Sequence, residues 1–243
     1  MARACRRAGR APGDVLLVAV TKTVTAAAAA ELAHLGQVDL GENRLPSLEE
    51  KRALFAEQGL EARWHFVGHV QRNKARRVAR LADVIHSVDT TALIETLARV
   101  SAEEDRAPWI YLQVALTGEA QKAGFDPAQL AEAAALAAGR PPLRLAGLMA
   151  MAPREGGVEA ARAVFRRLRE LGRELPPEAF ADPPPEGGPR LSMGMSGDYE
   201  AAVEEGAHVL RVGTALLAGL RPGPRDRDGS GALSGSSEAG GAQ

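Results

Sequence analysis

The α/β fold that this sequence predicts is a single (β/α)8 TIM barrel, and three observations predict it. Short apolar runs alternate with longer helix-forming stretches between Val15 and Val212, the mark of repeated βα units. The first run, Val15 to Val20, is apolar without interruption, as befits a strand buried on both faces. Polar and glycine-rich residues gather directly after the runs. In a barrel all strand C-termini open on one face, so such residues converge around one mouth. An open doubly wound sheet is the alternative, because periodicity does not show closure.

The elements follow in order. Met1 to Arg10 reads as the remnant of a basic amphipathic helix. After the first strand, Thr25 is a suitable N-cap, Ala26 to Ala30 have the highest helix propensity, and Gly36 suits the stop. Val38 to Leu40 is the second strand, and Pro46 to Gln58 its helix, closed by Gly59. Trp64 to Val67 is the third, followed by the basic helix Asn73 to Leu81. Val84 to Val88 precedes a helix over Thr90 to Glu104; Trp109 to Val114 precedes an Ala-rich helix over Pro127 to Ala138. Leu143 to Met149 is the sixth strand, with a strongly periodic helix from Val158 to Leu175. Pro176 to Pro189 is dense in Pro, Glu and Gly and reads as an exposed loop. Arg190 to Met193, a helix over Asp198 to Glu205, and His208 to Val212 complete the eight strands. A barrel domain over residues 1–220 is then followed by Gly, Ser, Pro and Ala with scattered charge, a predicted disordered tail over 221–243.

Composition bounds the function. With 30 basic and 31 acidic residues the net charge is -1, which gives no electrostatic reason to expect nucleic acid or an anionic membrane as partner. No apolar run is long enough to span a bilayer. The lone cysteine, Cys5, excludes an intrachain disulfide and suits a reducing cytoplasm. The basic run Arg72 to Arg80 has no interleaved aromatics and reads as a solvated helix face. The five histidines show no metal-ligand spacing, so no metal is expected.

Within the mouth, Lys22 stands out, in Val20-Thr21-Lys22-Thr23 directly after a buried strand. There it is expected to be partly desolvated, which favours the neutral, nucleophilic amine that imine formation needs. A plain surface lysine is the alternative. Ser192-Met193-Gly194-Met195-Ser196 and Arg211-Val212-Gly213-Thr214 resemble a split anion site. Small residues let backbone N–H groups approach a phosphate, and barrels often seat one after strands seven and eight. Core methionines beside a turn, and a glycine turn closing a strand, are the plainer accounts. Arg211 lies within an apolar strand, where a charge needs a partner. It either points inward to an acceptor such as a pyridine nitrogen, or outward to an acid on a helix. His65 could serve as a ligand or base, but reads rather as a hydrogen-bonded core histidine.

V-T-K-T at Lys22, G-E-N at Asn43, W-H-F-V-G at Gly68, Q-R-N-K at Lys74, S-V-D at Asp89, G-L-M-A-M at Met149, S-M-G-M-S at Ser196 and R-V-G-T at Thr214 together resemble the pyridoxal phosphate homeostasis protein family. Its fold is that of the alanine racemase N-terminal domain, and the resemblance runs from about Arg3 to Gly219. It implies pyridoxal 5′-phosphate (PLP) held as a Schiff base on Lys22. It further implies the phosphate on the Ser192 and Ser196 hydroxyls or neighbouring amides with Gly213 and Thr214, Arg211 facing the pyridine nitrogen, and Asn43 lining the ring or its 3-oxygen. The chain departs from the family at Ala115, where a polar residue is expected, in a first helix that reads as truncated, in the Pro-rich insert and in the C-terminal tail.

Two functions fit such a chain: a non-catalytic cytoplasmic carrier, monomeric or weakly dimeric, that serves PLP homeostasis and delivers PLP to dependent apoenzymes; and a fold-relative enzyme, an amino-acid racemase or decarboxylase. Racemisation needs a second acid/base on the opposite ring face. The two tyrosines are Tyr111, within a strand, and Tyr199, which suits helix packing. The carrier is favoured. An aldolase-like barrel with a sugar imine on Lys22 is a third possibility, which Arg211 argues against.

Overall fold

The computed structural model describes residues 1–117, 123–181 and 189–220. Its strands are β1 (Leu16–Val20), β2 (Asp39–Glu42), β3 (Arg63–Phe66), β4 (Val84–Val88), β5 (Trp109–Gln113), β6 (Arg144–Met149), β7 (Arg190–Ser192) and β8 (Val209–Val212). They close into a parallel barrel in chain order. The β1/β8 seam, with Leu16 opposite Val209 and Val18 opposite Arg211, decides against an open sheet.

Helices α1 (Ala2–Arg7), α2 (Ala26–His34), α3 (Leu45–Gln58), α4 (Ala75–Leu81), α5 (Thr91–Glu103), α6 (Leu130–Ala138), α7 (Gly157–Glu174), α8 (Tyr199–Glu204) and α9 (Thr214–Leu217) accompany the strands. Local chemistry sets several of their ends. The Thr25 hydroxyl accepts from the Ala28 amide at 3.3 Å, and Thr90 does the same for Leu93 at 3.2 Å, each satisfying an orphan donor of a first turn. Gly36 and Gly59 take the left-handed conformation just past α2 and α3 (φ 89° and 65°), where a Cβ would be strained. Arg72–Lys74 and Pro127–Gln129 form 3-10 turns, so α4 and α6 begin later than the periodicity predicts. The four-residue α9 has no counterpart among the predicted helices.

Two apolar layers sit on either side of the strands. Outside, Ile85, Ile110, Leu112, Leu145, Leu148 and Leu210 are almost wholly buried together with Leu93, Ile94, Leu97, Phe165 and Leu168 from helices. Each such side chain stabilises the fold by about 1.5–3 kcal/mol. Inside, a smaller cluster of Val18, Val84, Tyr111, Ala146, Met149 and Val209 fills the barrel. Strand alternation also turns polar residues inward: Asp39, His65, His86, Ser192 and Arg211 are all buried there. Gly41, next inward on β2 after Asp39, has no side chain; a Cβ would lie 3.0 Å from Val18 Cγ1. The side chains of Val18 and Val20 take up that space.

The N-terminal segment forms a short helix with Ala4 and Cys5 buried. Arg7 anchors it to α8 by ion pairs with Glu200 (2.7 Å) and Glu204 (2.9 Å). At the face opposite the mouth, Val38, Phe55, Leu60, Arg63 and Trp64 line a concavity. Residues 182–188 of the Pro-rich segment and the predicted tail at 221–243 lie outside the described residues. Among the described residues no helix is long and apolar enough to cross a membrane.

Candidate functional site

The C-terminal ends of β1, β2, β7 and β8 carry all seven predicted site residues to the mouth or just beneath it. Lys22 occupies the turn after β1 and is exposed, not partly desolvated as its position after a buried strand suggests. The burial falls on its neighbour instead. Thr21 is wholly buried, with its hydroxyl on Glu42 Oε1 at 2.5 Å, and the chain then turns outward at 22–23.

A buried ion pair stands beneath that turn. Lys51, on the inward face of α3, places Nζ 2.5 Å from Glu42 Oε1 and 2.7 Å from the Thr21 carbonyl, and both charged side chains are at most 1 % exposed. Glu42 precedes Asn43 as Thr21 precedes Lys22. One ammonium therefore ties together the two segments that present those residues. Asn43 is half-buried at the mouth, its backbone packed so closely on Gly68 that a Cβ there would overlap the Asn43 carbonyl.

Another side of the mouth comes from the loops after β7 and β8. Ser196 and Thr214 are brought together: the Ser196 hydroxyl accepts from the Ala215 amide at 3.1 Å. The first amides of a helix lack intrahelical acceptors, so the start of α9 supplies donors here. Gly213 sits against β1, where an added Cβ would lie 3.0 Å from the Val20 carbonyl. Gly194 adopts φ 93°, and its carbonyl accepts from the Arg211 amide at 3.0 Å, which locks the two loops to each other. Asp198 bonds the Met195 amide at 2.5 Å; burial raises its carboxyl, opposed by that bond and by Arg211. Met193 is core and Met195 is exposed, so the S-M-G-M-S segment is half packing and half loop.

Ser192 lies beneath the mouth with its hydroxyl engaged by Arg211 and His86. Its hydroxyl is wholly buried, 2.6 Å from Arg211 Nη1 and 2.8 Å from His86 Nδ1. The guanidinium can only donate to it, and where His86 is neutral with its proton on Nε2 the serine proton goes to His86 Nδ1.

Arg211 points into the barrel, which excludes the outward alternative. It is 5 % exposed and donates to Ser192 and to the Ala150 carbonyl at 3.1 Å. No carboxylate among the described residues lies within salt-bridge distance of it. Burial lowers its pKa to about 10, opposed by the more distant Asp198 and Tyr111; it remains a cation at neutral pH with donors to spare.

Behind Arg211 the interior is polar. His65 is a hydrogen-bonded core histidine, as expected, with Nε2 2.9 Å from Asp39 Oδ1 and Nδ1 2.9 Å from His86 Nε2. Burial pushes both histidines down, His86 well below the usual range with further help from His65 and Arg211. For Asp39 burial acts upward, but hydrogen bonds from His65 and Arg63 outweigh it and hold the carboxyl at about 2. Tyr111 stacks on His86 at 4.7 Å between ring centroids. Tyr199 is part-buried on α8, its hydroxyl on Glu200 at 3.2 Å. At the rim, exposed His69 places Nδ1 3.1 Å from the buried Asp89 carboxylate, whose carboxyl burial raises against His69's pull.

Sequence reasoning missed Lys51, His86, Asp39 and Asp198. The signal for Lys51 was its place between Leu48 and Phe55 on one helical face. For Asp39 and His86 it was a polar residue in alternating register within an apolar run.

The family model for the alanine racemase N-terminal domain matches residues 2–222. The pyridoxal phosphate homeostasis protein of Pseudomonas aeruginosa is 40% identical over 214 residues, 88% of each chain. That of Aquifex aeolicus is 34% identical over 88% of this chain and 91% of the relative. Among solved structures, PipY of Synechococcus elongatus with PLP bound is 36% identical, with a TM-score of 0.75 over 88% of this chain and 97% of that one. The chain belongs to the pyridoxal phosphate homeostasis protein family, built on the alanine racemase N-terminal domain fold.

Proposed function

We propose that this chain is a cytoplasmic PLP carrier that holds the cofactor at the barrel mouth as a Schiff base on Lys22 and hands it on to dependent apoenzymes. The observation that carries this reading is Arg211: a buried cation with no acidic partner within salt-bridge distance among the described residues, and with donors left over beneath the mouth. Burying such a charge is costly unless an acceptor completes its shell, and a heteroaromatic ring nitrogen is such an acceptor. The residues present also fit the other end of the cofactor. Ser196, the start of α9 and the close-packed Gly213 form a small-residue cradle suited to a phosphate.

PLP supplies an aldehyde conjugated to an electron-withdrawing ring. Lys22, exposed at the mouth, offers the amine, within reach of water and of exchanging amines. Arg211, a permanent donor, keeps the facing ring nitrogen unprotonated, because two cations oppose each other. Asn43 lines the ring. The relative solved with PLP bound supports the ligand.

The carrier is favoured over a racemase because neither tyrosine is available as a second acid/base. Tyr111 is stacked inside the barrel and Tyr199 bonds Glu200. The test is to titrate the purified chain with PLP by absorption, then incubate it with amino acids in deuterium oxide. A saturable visible band without α-hydrogen exchange is expected. Rapid exchange that depends on Lys22 would make the protein an enzyme instead.

A further inference from the structure

The polar chain behind Arg211 has a direction. Arg211 can only donate, and an ionised Asp39 can only accept. His65 Nε2 lies 2.9 Å from Asp39 Oδ1, so it must carry the proton. A neutral His65 then accepts at Nδ1, and His86, 2.9 Å away, donates from Nε2. His86 Nδ1 is left as an acceptor for the Ser192 proton at 2.8 Å, and Ser192 Oγ receives Arg211 Nη1 at 2.6 Å. Every hydrogen points from Arg211 toward Asp39. One assignment of tautomers satisfies all the links with both imidazoles neutral.

We propose that Asp39, His65, His86 and Ser192 are positioning residues, a one-way hydrogen-bond relay that fixes the Arg211 guanidinium as the donor presented to the ring nitrogen. This rests on the PLP reading of the mouth. The relay holds one edge of the guanidinium from behind, and the Ala150 carbonyl holds a second amino group; the remaining donors are left for the ligand. Links in a low-dielectric interior polarise one another in the same sense. The groups facing the relay help to keep it so. Arg63 bonds the Asp39 carboxylate at 2.5 Å, holding it ionised, and Tyr111 covers one face of His86. Burial disfavours a second proton on either imidazole.

Two measurements test this. Long-range ¹⁵N–¹H spectra of the chain without cofactor report the tautomers directly. Both His65 and His86 are expected as neutral Nε2–H forms from about pH 6 to 8; an Nδ1–H form or an imidazolium at either position would overturn the relay. In the PLP-loaded protein, Ser192→Ala is expected to shift the pH midpoint of the bound cofactor's absorption by about half a unit or more. Ser192→Thr, which keeps the hydroxyl, should restore it. An unmoved midpoint in Ser192→Ala would contradict the positioning role. Where Ser192→Ala does not fold, the tautomer result on the wild-type chain decides alone. If wild-type protein binds no PLP at all, the cofactor reading fails, and the tautomer spectra still judge the relay separately.

Discussion

Lys51 Nζ lies 2.5 Å from Glu42 Oε1 in a pocket that excludes solvent from both side chains, and the pair joins the segments bearing Lys22 and Asn43. Desolvating two charges is expensive, and removing one partner leaves the other uncompensated. Lys51→Met is expected to destabilise the fold by about 3–5 kcal/mol in urea unfolding. Adding Glu42→Gln keeps an acceptor for Thr21 without the charge, so the double variant should recover more than half of the loss. Equal stabilities of single and double variants would show the pair to be uncoupled.

Gly68 and Asn43 give a steric prediction. Because a Cβ on Gly68 would overlap the Asn43 carbonyl, Gly68→Ala must displace one rim loop. The expected cost is about 1–3 kcal/mol, with PLP affinity reduced by the misplaced Asn43. Thermal unfolding and a PLP titration of the same sample check both effects.

The relay histidines give a pH dependence. Burial lowers the pKa of His65 and His86 below the ordinary histidine value of 6.5, so the unfolded chain takes up protons first as pH falls. Their contribution is fully present above about pH 6.5 and declines below it. Asp39, lowered from 3.8 to about 2, contributes above its unfolded value and loses that contribution as pH falls from 3.8 toward 2. The urea midpoint should therefore fall in two stages. Asp39→Asn should be the weaker protein at neutral pH, with the gap to wild type closing over the lower stage. A gap constant with pH would contradict the ionised Asp39.

Arg211→Met removes the buried donor. A hydrogen bond to a charged group contributes about 1.5–3 kcal/mol, so PLP binding should weaken about tenfold to a hundredfold. Equilibrium dialysis measures this. Unchanged affinity would remove Arg211 from the ligand's shell.

The strand and helix order was legible because each strand is a short apolar run and each helix a periodic one. Val84 to Val88 has the predicted bounds, and Thr25, Gly36 and Gly59 act as the caps their chemistry implies. The second strand was placed early, because Asp39, Gly41 and Glu42 do not look apolar; parallel pairing with Arg63 to Phe66 carries them into the sheet. Lys22, Asn43, Ser196, Gly213 and Thr214 were placed at the mouth because their position depends on strand ends alone. Ser192 and Lys51 were not understood, since partners 106 residues away (His86) or on a facing element (Glu42) decide what each does. Lys22's exposure likewise depends on the turn after Thr21, which no local pattern announces.

The covalent attachment of the cofactor is the centre of this account. Borohydride reduction of PLP-loaded protein, intact-mass measurement and mapping of the modified peptide test it most directly. One pyridoxyl group on Lys22 is the predicted result; no added mass, or the same mass on Lys51, Lys74 or another side chain, would contradict it.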